Sequence, residues 1–231
     1  GPTTEIYING IEIWNLVFNE YFQDKNKKLT PLKQKGVDTG MGLERLAMVM
    51  QDKPSVFETD LFEPLMEALP DSLSERQKRI VADHTRAVVF LVSDGVRPFN
   101  KEGGYILRRL LRRLIILTKE VVDPKKLFEL VVKNYRDFYQ NLDKNTINAV
   151  FDEEYKKFSQ ALKKGLQELK KLNEISAHNA FKLYESFGLP FEAIKEIGGA
   201  KAAGLKREDF DKELRRHQAI SRAGAESKFG G

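Results

Sequence analysis

The chain has 231 residues, of which 41% are hydrophobic and 32% charged, a balance typical of globular proteins with one large or two small domains. It has no cysteine, which excludes disulfide bonds and thiolate metal sites, and its formal net charge is +5. No apolar run approaches the roughly 20 residues that cross a bilayer, so we expect no membrane partner. The lack of cysteine fits a reducing compartment, and we expect a cytoplasmic location.

The first 39 residues predict short antiparallel strands. Asn9-Gly10 separates two β-rich runs, a strong hairpin signal, and the second run, residues 11–18, predicts a strand buried on both faces. Residues 24–34 are polar and predict a loop. Residues 37–39 then predict a strand antiparallel to the second run, which would bring Asn15 and Asp38 towards one pocket.

A glycine turn between a strand and a helix carries the first candidate site. Gly40 and Gly42 let the main chain turn tightly and let a ligand approach it. Arg45 lies one turn into the helix, near its positive end, where a phosphate is favoured. Asp38 is placed to hold a cation such as an amino group. A plain strand-to-helix connection with a solvated arginine is the alternative.

The rest of the chain shows almost only helical periodicity. A short helix is predicted to begin at Thr59 or Asp60, either of which would cap it. Pro70-Asp71-Ser72 marks a boundary, which predicts two domains, residues 1–70 and 71–231. Further helices are predicted for residues 75–94, 105–120, 125–139, 145–172, 177–187 and 209–222. Ser176 is the expected cap of one of them, and Gly95, Gly188 and Gly198-Gly199 are expected stops or turns. The predicted fold class is α+β, mostly α.

A cationic helix is the second candidate site. The segment from Arg79 to Lys119 contains nine lysines and arginines and three acids. Its net positive charge is therefore larger than that of the whole chain. Arg108, Arg109, Arg112 and Arg113 are predicted to share one face of the helix 105–120, a pattern typical of binding to a phosphate backbone. Lysine pairs also recur along the helix 145–172, either as a solvated face or as a nucleic-acid contact.

Several blocks of the sequence resemble class II aminoacyl-tRNA synthetases, in the form of the alanine-specific members. Residues 38–45, Asp-Thr-Gly-Met-Gly-Leu-Glu-Arg, resemble the third signature motif, and residues 12–18 resemble the strand that precedes it. Blocks at residues 82–86, 94–100, 104–109, 183–190 and 228–231 also match, in the family's order. The resemblance implies short strands of a class II catalytic domain followed by a helical tRNA-recognition domain.

The resemblance also implies an activity and its partners. It implies ATP-dependent activation of alanine, with Mg²⁺ in the complete enzyme, and transfer of alanine to its tRNA, whose acceptor stem is a partner. No zinc is expected. The family's first two motifs are missing, and Gly1-Pro2 is typical of a protease-cleavage scar. We therefore expect a fragment that lacks the N-terminal catalytic half and is nearly inactive alone. A stem-binding module without catalysis and a helical scaffold are the alternatives.

The matching positions assign roles within the catalytic region. Arg45 matches the arginine that contacts the γ-phosphate of ATP, and Asp38 matches the aspartate that takes the amino group of alanine. Asn15, 23 residues before Asp38, matches the asparagine that orients the amino acid. The remaining candidates are Gly40 and Trp14 for the amino-acid pocket and Gly42 and Glu12 for ATP. Glu12 is equally well explained as an exposed strand glutamate.

The matching positions also assign roles in tRNA recognition. Asn100 and Glu192 match the residues that read the G·U pair of the acceptor stem, although the family usually has aspartate at the second position. Gly103 stands where the family commonly has arginine. These departures bear on the strength or geometry of the stem contacts.

Overall fold

The computed structural model describes residues 2–217, and the chain forms two compact units, Gly1–Leu69 and Pro70–Gly231. The first unit combines a three-stranded antiparallel sheet with short helices, and the described part of the second is helical. The predicted fold class, α+β and mostly α, is confirmed. No helix in the described part of the chain is long and apolar enough to cross a membrane.

The sheet of the first unit has the strand order β1-β2-β3, with β1 Thr3–Ile8, β2 Ile11–Gln23 and β3 Leu29–Met41. Asn9 and Gly10 have φ values of 50° and 77°, and Ile8 pairs with Ile11, so the predicted two-residue hairpin turn is confirmed.

Two predictions about this sheet are wrong. Only residues 24–28 form a loop, because β3 already begins at Leu29 and pairs with the end of β2. Its residues there are exposed on both faces except for the half-buried Leu32, so the strand shows no apolar alternation in the sequence. The second run is not buried on both faces either: Ile13 alone among the residues of β2 is buried.

The helices of the first unit follow the sheet. They are α1 Leu43–Met50, a 3₁₀ turn Val56–Glu58 and α2 Glu63–Glu67. The predicted cap at Thr59 or Asp60 is wrong, because α2 begins after Phe62, which makes no side-chain cap. The Thr59 hydroxyl instead donates to the Val56 carbonyl, 2.7 Å away, and closes the 3₁₀ turn.

The second unit packs its helices around a core of aliphatic and aromatic side chains. Its helices are α3 Glu75–Ser93, α4 Glu102–Thr118, α5 Pro124–Tyr135, α6 Lys144–Lys171, α7 Ala177–Phe187 and α8 Phe191–Gly198, followed by a 3₁₀ turn Gly199–Ala202 and a helical segment at residues 207–217. Fully buried side chains such as Phe128, Phe158 and Leu111 fill its interior. The core thereby fixes the positions of α4, which follows Asn100 and carries the candidate arginines, and of α8, which carries Glu192.

Most helix ends follow their sequence signals. Ser176 caps α7 by accepting from the Asn179 amide, and Gly188 ends that helix with φ 67°, as predicted. Gly95 follows α3 with φ 87°, and Gly199 follows α8 with φ 51°. Residues 218–222 of the last predicted helix and the matching block at residues 228–231 lie outside the described residues.

Two helix predictions have other bounds than the structure, and one helix was not predicted. Helix α4 begins at Glu102 rather than at residue 105, so Gly103 and Gly104 belong to its first turn. Helix α5 ends at Tyr135 rather than at residue 139. Helix α8 has no counterpart among the predicted helices, because it spans only 8 residues and the sequence signals there are a proline and a glycine pair.

Candidate functional sites

One face of the β2–β3 ladder carries three of the predicted site residues. Asn15 pairs with Gly40, and Val17 pairs with Asp38, in an uninterrupted antiparallel register. Because paired residues share a face and alternate residues return to it, Asn15, Asp38 and Gly40 lie on the same side of the sheet. A Cβ atom added to Gly40 would lie 3.8 Å from Oδ1 of Asn15. The glycine therefore leaves open the space beside the Asn15 amide.

Trp14 lies on the opposite face of the sheet. It pairs with Met41, and its indole Nε1 donates to the Thr39 hydroxyl, 2.6 Å away. That hydroxyl in turn donates to the Asn15 carbonyl at 2.8 Å. The structure therefore does not bring Trp14 together with Asn15, Asp38 and Gly40, and its grouping with them is corrected. Its contacts support the backbone behind Asn15.

Arg45 reaches back from α1 to the start of β2. Its Nη1 donates to the Glu12 carbonyl at 3.0 Å and lies 3.5 Å from the Glu12 carboxylate. The stem of Arg45 lies over Gly42, where an added Cβ would be 3.3 Å from its Cδ, and the Gly42 amide donates to the Ile13 carbonyl. Gly42 thus provides the room in which the arginine folds back, and its amide ties the start of α1 to β2.

The Arg45 guanidinium is available to an anion. Its side chain is 54% exposed, and exposed ion pairs such as the one with Glu12 contribute little net stability. A phosphate, which arginine binds with two parallel hydrogen bonds, can therefore replace the glutamate at low cost.

The described residues offer single carboxylates rather than a preformed metal site. No three His, Asp or Glu side chains in residues 2–217 lie close enough together to hold a metal ion. Mg²⁺, the ion that the resemblance implies, is commonly bound in proteins through one or two carboxylates together with substrate phosphates. The Glu12 carboxylate, 3.5 Å from Nη1 of Arg45, is a candidate for such a ligand.

In the second unit, the segment before α4 folds tightly onto the first turn of that helix. The Phe99 amide donates to the Gly104 carbonyl at 3.0 Å, and a Cβ on Gly104 would lie only 2.6 Å from the Arg97 carbonyl oxygen. Phe99 is 63% exposed, and Asn100 accepts a hydrogen bond from Arg108. The close approach at Gly104 therefore holds Asn100 at the surface beside α4.

Glu192 lies next to the same part of α4. Its Oε1 accepts from Nη2 of Arg109 at 3.3 Å and from Nη1 of Arg207 at 3.0 Å. Arg207 also pairs with Asp211 and lies over the Phe191 ring, with 5.2 Å from its Cζ to the ring centre. Burial opposes the charge of Arg207, but the neighbouring carboxylates, Asp211 foremost, raise its pKa overall. Asn100 and Glu192 are thus each bonded to one of two consecutive arginines.

Arg112 and Arg113 point into the protein, which corrects the prediction of one exposed face of four arginines. Their side chains are 19% and 15% exposed. The Nε of Arg112 donates to Glu154 at 2.6 Å and its Nη1 to the Gly188 carbonyl at 3.2 Å, and its guanidinium lies over the Phe158 ring. Both arginines contact neighbouring helices because α4 is packed between α6 on one side and α3 and α8 on others.

Arg113 closes a small polar cluster between α3, α4 and α8. Its guanidinium lies 3.9 Å from Glu196 and 3.4 Å from Nε2 of His84. Since arginine only donates, the His84 ring accepts at Nε2 and donates from Nδ1 to Asp83 at 3.0 Å. That hydrogen bond lowers the pKa of Asp83. His84 is thus a largely buried structural residue.

Tyr105, at the start of α4, is bonded to α7 through its hydroxyl. The Tyr184 hydroxyl donates to it at 3.3 Å. Burial, together with this hydrogen bond, raises the pKa of Tyr184 to about 12. The Tyr184 hydroxyl therefore remains protonated at neutral pH and able to donate, and the bond helps to fix the first turns of α4 beside Asn100.

Two residues that organise this region were missed by the sequence reasoning. Glu154 is a carboxylate on the apolar stripe of α6, only 4% exposed, and its position among Ile147, Val150, Phe151 and Phe158 was a usable signal. Arg207 had no such signal, because its contacts with Glu192 depend on how α8 and residues 207–217 pack.

Comparisons with known proteins show which proteins the whole chain is similar to. The family model described as tRNA synthetases class II (A) matches residues 4–229. Similar proteins include the alanine–tRNA ligases of Elusimicrobium minutum, 39% identical over 94% of this chain, and of Carboxydothermus hydrogenoformans, 36% identical over 94%. That of Thermotoga maritima is 35% identical over 92%. The chain spans only 27–28% of the length of these relatives.

Proposed function

Because the chain belongs to the class II (A) tRNA synthetases, we propose that it is the part of an alanine–tRNA ligase that joins the amino-acid site to the tRNA-recognition helices. Residues 1–70 contribute to ATP-dependent activation of alanine. Residues 71–231 recognise the acceptor stem of its tRNA. The common face of Asn15, Asp38 and Gly40, followed directly by Arg45 on α1, is the observation that supports this best.

The first step needs charge placement rather than a catalytic base. A carboxylate oxygen of alanine attacks the α-phosphorus of ATP, and pyrophosphate leaves. Asp38 holds the ammonium group, Asn15 orients the amino acid, and the bare face of Gly40 leaves room for a methyl side chain. Arg45 binds the γ-phosphate and neutralises charge on the departing pyrophosphate. Mg²⁺ would be held by the phosphates with Glu12 as a candidate ligand, and it would supply further positive charge to them.

Further strands from outside this chain complete the catalytic sheet in this proposal. The relatives are more than three times as long as the matched region. The sheet also exposes several large apolar side chains, which a complete catalytic domain would cover: Ile6, Phe18, Val37 and Met41. This chain alone is therefore expected to be nearly inactive.

Alanine-dependent exchange between ATP and pyrophosphate tests the catalytic part. We expect no exchange with the chain alone, and exchange after mixing it with the segment that precedes the matched region in the Elusimicrobium minutum relative. In the mixture, Arg45→Ala and Asp38→Asn should each lower the rate about 100-fold or more. Asp52→Asn, an exposed carboxylate in the same unit, is the matched control and should have no effect. Full activity of Asp38→Asn would contradict the assigned role.

Base reading by Asn100 and Glu192 is the second part of the proposal. Arg108 and Arg109 place the Asn100 amide and the Glu192 carboxylate beside consecutive residues of α4. An amide and a carboxylate are suited to reading base edges, which the shallow minor groove of an RNA helix exposes. Arg108 and Arg109 remain candidates for phosphate contacts. Arg112 and Arg113 are assigned to the interior.

Binding to a hairpin RNA that copies the acceptor stem tests recognition. We expect the 231-residue chain to bind a hairpin with the G·U pair about tenfold more tightly than one with G·C, because an unsatisfied polar group costs about that much. Asn100→Ala should remove the difference, whereas Asn145→Ala, an exposed asparagine on α6, should keep it. Equal affinity of the unmodified chain for both hairpins would contradict base reading. Selective binding without exchange in the mixture would favour a binding module.

A further inference from the structure

The far end of the β2–β3 hairpin, residues 20–36, exposes apolar side chains on both faces. We call this segment the hairpin tip. Tyr21 and Phe22 are 51% and 58% exposed, and Leu29 is 57% exposed. Tyr21 pairs with Pro31, and Phe22 pairs with Thr30, so the two aromatic rings lie on opposite faces. Leu29 shares the face of Tyr21, because its partner is Gln23.

The hairpin tip is also strongly positive. Five exposed lysines stand against two acids in residues 20–36: Lys25, Lys27, Lys28, Lys33 and Lys35. Both acids already have partners. Glu20 pairs with Lys35 at 3.1 Å, and Oδ1 of Asp24 accepts from the amides of Asn26 and Lys28 at 2.9 Å each.

Asp24 holds the turn of the hairpin tip in one conformation. Besides its side-chain bonds, its carbonyl accepts from the Lys27 amide at 3.0 Å, and its amide donates to the Lys28 carbonyl at 3.1 Å. Lys27 adopts a φ of 64°, which this network imposes on it. The turn therefore presents its lysines from an ordered backbone, which lowers the entropy lost on binding.

We infer that the hairpin tip binds the unpaired 3′ end of the tRNA, an inference that rests on the proposed function. Exposed aromatic rings within a cationic surface form a platform on which unpaired bases stack while lysines contact the phosphates. At about 3.3 Å per residue, Tyr21 lies about 20 Å along β2 from Asn15, so RNA bound at the tip lies within reach of the amino-acid site. An apolar protein partner fits less well, because it would bury several lysines without partners.

Removing the unpaired 3′ tail from an acceptor-stem hairpin RNA tests this inference. Fluorescence anisotropy would compare tailed and blunt hairpins, labelled in the loop, with the 231-residue chain. We expect the tailed RNA to bind about tenfold more tightly. The double variant Tyr21→Ala/Phe22→Ala should bind the tailed and the blunt RNA equally. Its affinity for both should be that of the unmodified chain for the blunt RNA. Phe138→Ala, which removes a ring that is 84% exposed in the second unit, should keep the difference.

A charge variant tests the phosphate contacts separately. In Lys25→Gln/Lys28→Gln both aromatic rings remain, and the dependence of log affinity on log salt for the tailed RNA should weaken by about 0.7 for each phosphate that is no longer neutralised. An unchanged slope would overturn the phosphate contacts. Thermal unfolding followed by circular dichroism should show that every variant is folded, because the replaced side chains are exposed.

The outcomes separate this inference from the proposed function. Equal affinity of the unmodified chain for tailed and blunt RNA overturns the inference and leaves stem recognition intact. A tail effect that survives in Tyr21→Ala/Phe22→Ala also overturns it, since the tail is then bound elsewhere. Absence of binding to either RNA overturns acceptor-stem recognition, the part of the proposed function on which the inference rests.

Discussion

Arg112→Met is expected to lower the free energy of unfolding by about 3–5 kcal/mol. The variant leaves the Glu154 carboxylate, which is only 4% exposed, without its cationic partner in the core of the second unit. It also removes the donor to the Gly188 carbonyl and the contact with the Phe158 ring. Urea unfolding followed by circular dichroism, which reports mainly the helices, measures the change.

A double variant distinguishes the ion pair from packing. In Arg112→Met/Glu154→Leu neither charge is buried, so most of the stability should return. Arg136→Met, which removes an arginine whose side chain is 70% exposed, should change stability by less than about 0.5 kcal/mol. If Arg112→Met were as stable as Arg136→Met, the Arg112–Glu154 pair would not hold α4 to α6.

The same pair shows where sequence reasoning reached its limit. A run of two arginine pairs four residues apart predicts a cationic helix face only if the helix has a single neighbour. Helix α4 contacts several helices, so Arg112 and Arg113 meet carboxylates on α6 and α8. Helix packing could not be read from the local pattern. The acid at position 154 on an apolar stripe was the one available hint.

Local signals, in contrast, were sufficient for many elements. Asn9-Gly10 specified a hairpin, and Ser176 and Gly188 specified both ends of α7, because turns and caps depend on a few neighbouring residues. The prediction for residues 29–34 was wrong because a strand that is mostly exposed on both faces has no apolar period to detect. Its pairing with β2 is a non-local property.

The candidate catalytic residues show the same division. Antiparallel pairing of two short runs was enough to place Asn15 and Asp38 on one face. The alternation of side chains along a strand also separates Trp14 from its neighbour Asn15, so this correction was available from the sequence. The position of Arg45 over Gly42 and against Glu12 could not be predicted from the sequence, because it depends on the angle at which α1 leaves the sheet.

Gly104→Ala is expected to destabilise the second unit by about 1–3 kcal/mol, the usual cost of overpacking. Its new Cβ would lie 2.6 Å from the Arg97 carbonyl oxygen and 2.7 Å from the Phe99 Cβ, so the segment before α4 must move. Asn100 belongs to that segment, and we therefore also expect the variant to lose its preference for the G·U hairpin. Urea unfolding and RNA anisotropy measure the two effects.

Gly103→Ala is the matched control, because the neighbouring glycine lies in the same first turn of α4 but in open space. Its added Cβ would meet only the Val96 Cγ1, at the ordinary contact distance of 3.8 Å. Alanine also restricts the unfolded chain more than glycine, so stability should stay the same or rise by up to about 1 kcal/mol. RNA preference should be unchanged. If both alanine variants behaved alike, the close approach at Gly104 would not be what positions Asn100. The replacement by glycine of the arginine that the family commonly has at position 103 would then be the next feature of this loop to test for an effect on stem binding.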